Sequence, residues 1–283
     1  MSDYLGAHMS IAGGLHKAIE RATAARCGVV QVFTRSSNQW KGRPVSDADA
    51  GLFRQTFMES GLHEAISHDI YLINLAAPAG DTRDKSLAAF ADEMSTCARL
   101  GINKIVMHPG SHLADPPETG LERVIAAFDQ LFEQVPEYQG LVLLETTAGQ
   151  GSNLGRHFEE LRVIIDGSRF PQRFGICFDT CHTFAAGYNT ATPEGYAEVM
   201  EQFDRILGLE LLQCFHFNDS KKGLGSRVDR HEQIGQGALG LEPFRFIMND
   251  PRFVTVPKIL ETPKGDDDSM YRVNLALLRS LVQ

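Results

Sequence analysis

The chain alternates between short apolar runs and longer amphipathic stretches. The runs are YLGAH (4–8), VVQVF (29–33), IYLINL (70–75), KIVMHP (104–109), LVLLET (141–146), FGICFDT (174–180), LLQCFHFND (211–219) and VPKILET (256–262). Each is mostly apolar along its length, as strands buried on both faces are. Helical patterns lie between them. The clearest cover 83–100, closed by Gly101, and 193–207, stopped at Gly208, where Thr192 can cap and Pro193 fits the first helical position. Segments 12–26, 47–60, 119–133 and 270–282 read similarly. Eight strands alternating with helices predict parallel crossovers and an α/β fold. At about 35 residues per unit, the 283 residues suit a (β/α)8 TIM barrel, one domain over 1–283. An open doubly wound sheet is the alternative. No G-x-G-x-x-G follows the first strand, so a nucleotide cofactor has no support.

In such a barrel the active site lies at the C-terminal ends of the strands. The last five strand candidates finish with His108, Glu145, Asp179, His216 and Glu261, spaced by 37, 34, 37 and 45 residues. Each spacing is close to one strand–helix unit. Five consecutive strands would therefore each project a potential metal ligand into one mouth. A lone histidine at a strand end is ordinarily a satisfied polar residue, but that reading would have to hold five times in phase. His68 precedes the third strand candidate in SHDIYLINLAAP. His182 follows Asp179 by three, so on a helical turn both face one side. Asp229 and His231, two apart, share one face of an extended chain. Nine residues thus converge: His68, His108, Glu145, Asp179, His182, His216, Asp229, His231 and Glu261.

Five imidazoles and four carboxylates without a thiolate suit Zn, Mn or Fe, in a catalytic site rather than a structural one. Nine ligands with one bridging carboxylate would serve about three ions. Neighbouring metals form a clamp for in-line displacement at phosphorus.

Composition adds limits. The chain is 43% hydrophobic, ample for a core, yet has no run of apolar residues long enough for a transmembrane helix. MSDYLGAHMS has no basic n-region and no apolar h-region; it reads as a first strand and leaves the cytoplasm as the default location. The five cysteines, Cys27, Cys97, Cys177, Cys181 and Cys214, include no C-x-x-C pair and read as small buried hydrophobes. The net charge of −9 speaks against a nucleic-acid partner. Three zinc ions against four carboxylates would leave the site itself at about +2, which answers that objection locally.

Several segments in order resemble the endonuclease IV family of zinc-dependent apurinic/apyrimidinic endonucleases: GAHMSIAGG at the start, HPGSH (108–112), TAGQGSNLG (147–155), FDTCHTFAAGY (178–188), HFNDSK (216–221), GSRVDRH (225–231) and ILET (259–262). The likeness spans nearly the whole chain. It implies a (β/α)8 barrel with three Zn²⁺ ions, with Mn²⁺ or Fe possible at one position. His68 and His108 would hold the first ion and Glu145 would bridge to the second, completed by Asp179, His216 and Glu261. His182, Asp229 and His231 would hold the third. Glu145 and Glu261 are the catalytic candidates. The implied reaction is hydrolysis 5′ to an abasic site by a hydroxide between the first two ions, giving a 3′-OH and a 5′-deoxyribose phosphate, with trimming of blocked 3′ ends. The implied partner is double-stranded DNA bearing such damage, met by a monomer.

The resemblance also implies side chains that enter DNA from the loops after the second and third strands. Tyr71 and Leu72 match there, as do Gln39 and Trp40. Where some members carry an inserting arginine, this chain has Asn38, and neighbouring Arg35 is the substitute on offer. Glu145 is followed by Thr146, where an asparagine is familiar. Lys221, Lys222, Arg227 and Arg230 cluster beside the third ligand group as a phosphate clamp or a solvated loop. His8 is placed beside the metals rather than on them, His112 as a support for the loop or for a phosphate, and the acidic run 266–268 as an exposed helix start. A divalent-metal sugar isomerase or epimerase on the same barrel is the rival. It needs about two metals, leaving His182, Asp229 and His231 without work. A non-catalytic damage-binding protein would have lost ligands, and none is missing.

Overall fold

The valine- and isoleucine-rich runs form strands and the amphipathic stretches form helices outside them. The structure, a computed structural model, describes residues 4–265 and 267–283. The strands are β1 (Leu5–His8), β2 (Val29–Phe33), β3 (Glu64–His68), β4 (Lys104–Met107), β5 (Leu141–Glu145), β6 (Phe174–Asp179), β7 (Leu212–Phe217), the short β8 (Asp219–Ser220) and β9 (His231–Glu232), and β10 (Lys258–Leu260). Eight of them close into a barrel in the order β1-β10-β7-β6-β5-β4-β3-β2, with every pairing parallel. β8 and β9 pair antiparallel beside its mouth. The helices are α1 (Leu15–Ala24), α2 (Asp47–Ser60), α3 (Asp81–Leu100), α4 (Pro117–Gln134), α5 (Phe158–Gly167), α6 (Thr180–Ala186), α7 (Pro193–Ile206), α8 (Glu242–Asn249) and α9 (Ser269–Ser280). No helix among the described residues is long and apolar enough to cross a membrane.

Local chemistry sets the helix ends as expected. Thr192 accepts a hydrogen bond from the Gly195 amide, with Pro193 at the first helical position of α7. Gly101 closes α3 at φ 76, a left-handed conformation that favours glycine. Helices α5, α6 and α8 are not among the segments expected from the sequence. They are short, and all seven residues of α6 are buried, so it has no polar face to betray it.

The third strand corrects an expectation. It is Glu64–His68, in register with β2 from Val29 opposite Glu64 to Phe33 opposite His68. The run 70–75 is a turn whose Ile70, Ile73 and Leu75 are buried while Tyr71 is exposed. Apolar content cannot separate a strand from a loop that tucks its side chains into the core. His68 therefore ends a strand instead of preceding one. His108 and Glu261 stand one residue beyond β4 and β10.

The barrel interior is layered. Val29, Ile66, Val106, Leu143, Cys177, Cys214 and Ile259 form one fully buried cluster. Two residues further along the chain stand Gln31, His68, His108, Glu145, Asp179, His216 and Glu261. Strand side chains alternate, so each pair points the same way. On β1 the lower position is Gly6, where an added Cβ would sit 2.0 Å from the Val29 carbonyl oxygen. His8 follows it by two. A second, larger cluster fills the space between barrel and helices, with Val30, Val32, Phe178 and Phe215 among its members.

All five cysteines are buried thiols. Burial pushes Cys181 up to about 12 and Cys97 and Cys177 well above their ordinary value, which suits packing rather than reactivity. Residue 266 of the acidic run, and residues 1–3 ahead of β1, lie outside the described residues. Asp267 is exposed and accepts from the Ser269 amide at the start of α9, in keeping with an exposed helix start.

Candidate metal centre

Glu145, wholly buried at the end of β5, is the hub. Its Oε2 lies 3.1 Å from His68 Nε2 and 3.2 Å from His108 Nε2. Its Oε1 lies 3.0 Å from His216 Nδ1 and 3.1 Å from His182 Nδ1. Burial pushes this carboxyl up, but His216 and His108 beside it hold it well below the usual carboxylate range. The partners respond in kind. Burial pulls His68 down, yet the hydrogen bond and charge of Glu145 raise it to about 9. His216, facing Glu261 and Glu145 against the same burial, stands at about 10.

The remaining carboxylates close the ring. Glu261 Oε2 lies 3.2 Å from His216 Nδ1, and Asp179 Oδ2 lies 4.0 Å from it. Asp179 caps α6 by accepting from the His182 amide at 2.7 Å. That one tight turn holds carboxylate and imidazole side by side. Burial raises Asp179, outweighing the imidazoles nearby. Asp229 lies 3.1 Å from His182 Nε2 and 3.4 Å from His231 Nε2. All nine residues singled out in the sequence are thus joined through contacts of 4.0 Å or less.

The donor set fits divalent cations. His182 Nδ1 faces the Thr146 carbonyl at 3.0 Å, and His231 Nδ1 faces the Glu261 carbonyl at 3.3 Å. The hydrogen-bond network therefore assigns the proton to Nδ1 in both rings. Their Nε2 lone pairs then oppose each other across 3.4 Å, with Asp229 alongside. Two lone pairs and a carboxylate converging on one point need a proton or a metal ion between them. His68 is prepared in the same way: its Nδ1 meets the Asp69 carbonyl at 2.7 Å, leaving Nε2 toward Glu145. Groupings close enough to share an ion include His182 with Asp229 and His231, His68 with Glu145 and His216, and His108 with Glu145 and His182.

Several supporting residues escaped the sequence reading. Asn218 donates to Asp179 Oδ2 at 2.7 Å and accepts from the Glu261 amide at 3.1 Å. Gln31 contacts His8, His216 and Glu261. A signal for Gln31 was present: it is the one polar residue in VVQVF, in phase with the strand-end ligands. Thr146, by contrast, was singled out in the sequence where an asparagine is familiar; it receives the Asp179 amide on Oγ1 at 2.9 Å and meets Thr183 Oγ1 at 3.1 Å. Gly155 lets the 147–155 loop close over the site; a Cβ there would lie 3.0 Å from the Glu145 carbonyl.

The rim holds the residues expected to meet DNA. Asn38 and Gln39 are exposed after β2, while Trp40 and Leu72 are half-buried against the core. Arg35 cannot stand in for an inserting arginine. It is buried, paired with Asp92 at 2.9 Å and Glu93 at 3.1 Å. Tyr71 is 60% exposed, its ring centre 5.8 Å from that of His68. Together with His68, His108, His182, Asp229, Arg230, His231 and Glu261 it lines a cavity of about 310 Å³. Arg227 is exposed, but its guanidinium donates to the Gly149 carbonyl at 3.0 and 2.9 Å, bracing the 147–155 loop. Lys221 stands 3.8 Å from Glu232, and Lys222 is exposed. His112 takes the loop-supporting place expected of it, bonded to the Asp115 carbonyl.

Comparison with known proteins agrees with this geometry. A family described as xylose isomerase-like TIM barrels matches residues 19–281. The chain is 84% identical over 281 residues to "Probable endonuclease 4" of Trichlorobacter lovleyi, covering 99% of this chain and 100% of that protein. It superposes on the crystal structure of endonuclease IV from Thermus thermophilus with a TM-score of 0.87 at 37% identity, over 98% of each chain. A D-tagatose 3-epimerase-like protein matches at a TM-score of 0.72 but only 18% identity, over 98% of this chain and 96% of that one, a likeness of fold alone.

Proposed function

The chain belongs to the endonuclease IV family, and from that premise we propose that it hydrolyses DNA on the 5′ side of an abasic site, leaving a 3′-OH and a 5′-deoxyribose phosphate. The same chemistry at a terminus trims blocked 3′ ends. The whole chain works as one domain and one monomer in the cytoplasm. The observation that carries the reading is the hub: one buried carboxylate, Glu145, divides its two oxygens between pairs of imidazoles.

That division supports a bridging role. His68 and His108 on Oε2 would hold one ion with Glu145. His216 on Oε1, with Asp179 and Glu261, would hold a second. His182, Asp229 and His231 would hold a third, and all three would be zinc, with Mn²⁺ or Fe tolerated at one position. Bound divalent ions lower the pKa of water toward neutrality and offset phosphate charge. The protein's own residues do the rest. Glu145 and Glu261 keep ionised oxygens at the reacting centre. Asp179, fixed by Asn218 and the α6 amide, holds its carboxylate in place. Tyr71, with Leu72 behind it, enters the helix beside the lesion and takes up the flipped-out nucleotide's stacking. Asn38, Gln39 and Trp40 serve the opposite strand, and Arg230 and Lys221 meet phosphate, while Arg227 acts through the loop it braces.

The test is incubation with a duplex bearing one abasic site, resolving the ends formed. A single 5′ cut with an extendable 3′-OH is expected. Full metal content without a cut would transfer the site to sugar isomerisation.

A further inference from the structure

Gln31 lies on β2 with its side chain inside the barrel and is fully buried. Its amide reaches three residues, on β1, on β7 and just beyond β10. Nε2 lies 2.7 Å from Glu261 Oε1 and 2.9 Å from His8 Nδ1. Oε1 lies 2.8 Å from His216 Nε2. The orientation of the amide is not free. Turning it over would set its oxygen 2.7 Å from the Glu261 carboxylate, acceptor against acceptor in a buried place. Nitrogen therefore faces Glu261 and His8, and oxygen faces His216.

The protons of the neighbours follow. The amide oxygen can only accept, so His216 carries its proton on Nε2. In the neutral ring the Nδ1 lone pair is then aimed at the point shared by Glu145 Oε1 at 3.0 Å and Glu261 Oε2 at 3.2 Å. His8 Nδ1 stands between this amide nitrogen and Glu261 Oε1, the latter at 3.3 Å, and the other nitrogen of its ring is Nε2. That atom is buried and has no hydrogen-bond partner among the described residues. The ring lines a recess of about 390 Å³ next to the metal cavity, shared with Phe33, Tyr71, Glu261 and Lys264.

We propose that Gln31 is a positioning residue for the metal centre: one buried amide sets the tautomer of His216 and the rotamer of Glu261, so that both present metal-ready atoms to the same ion. The assignment rests on the reading that the cluster binds metal. Glu145 is held by the imidazoles around it and Asp179 by Asn218 and the His182 amide, whereas His216 and Glu261 have Gln31 as a common partner. Ligating histidines are generally fixed by a hydrogen bond at the other ring nitrogen, and loss of that partner weakens metal binding roughly 10–100-fold.

The test uses full-length protein and zinc. Gln31→Leu keeps the volume and removes the hydrogen bonds. Zinc affinity is read by competition with a chelator, and the His216 tautomer by long-range ¹H–¹⁵N correlation. The expected result is a native circular dichroism spectrum, one class of zinc weakened about 10–100-fold, and His216 no longer confined to the Nε2–H form. Gln31→Ala should reproduce the affinity loss, so that the result does not depend on how leucine packs. Wild-type zinc affinity together with an unchanged His216 tautomer would overturn the inference while leaving the proposed function standing. A wild-type protein that takes up no zinc would overturn both.

Discussion

The lower and upper layers of the barrel interior are built by the same strands and are two residues apart, yet they do opposite things. Below, Val29, Ile66, Val106, Leu143 and Ile259 with two thiols form a dry plug. Above, Gln31, His68, His108, Glu145, Asp179, His216 and Glu261 gather charge. The plug excludes water from beneath and keeps the local dielectric low, which strengthens the ion pairs above it. The upper layer keeps its order through paired charges and hydrogen bonds, with Phe33 packed against His8 and His68 at its edge. The lesson is that a catalytic mouth of this type needs a structural layer immediately under it.

Breaking the upper layer should have the largest effect. His216→Ala removes a ligand and leaves Glu145 and Glu261 facing each other. Cleavage of abasic duplex should fall by more than the roughly 10–100-fold typical of losing an outer partner, with a lost zinc equivalent; near-normal turnover would refute the ligand assignment. Breaking the lower layer should act on stability instead. Leu143→Ala should cost about 2–5 kcal/mol in urea denaturation while the zinc stoichiometry stays at the wild-type value. Loss of metal as well would mean that the two layers cannot be separated.

A third comparison sharpens the electrostatic difference. In protein stripped of metal, His68 and His216 stand at about 9 and about 10, above the ordinary 6.5. The folded form then binds more protons than the unfolded chain between pH 6.5 and those values. Their contribution to stability is complete below pH 6.5 and is lost as pH rises through 9 to 10. Melting of the chelator-treated protein should therefore move down with pH over that range. Metal-loaded protein should respond less, because the ions replace the protons. The smallest effect belongs to the rim. Tyr71→Ala should weaken binding to abasic duplex by about 1–3 kcal/mol with metal content intact; metal loss would put Tyr71 in the wrong role.

Much of this was legible in advance. The nine ligand candidates came from residue type and from a spacing close to one strand–helix unit, and the geometry joins all of them. Strand β3 was missed because Glu64, Ser67 and His68 dilute it, while the neighbouring turn carries more apolar residues and packs them inward. Arg35 illustrates another limit. Nothing local foretells that Asp92 and Glu93 of α3 will capture it.

By itself, the chain's sequence determined the alternation of elements, the parallel barrel that follows from it, and the imidazoles and carboxylates at its mouth. These depend on periodicity and on chemistry carried by single residues. Tertiary structure alone decided which oxygen of Glu145 meets which imidazole, which ring nitrogen carries the proton, and that Gln31 reaches His216 across 185 residues of chain. Those choices are made by hydrogen bonds between strands that meet only when the barrel closes, and no local pattern encodes the direction of a side-chain amide.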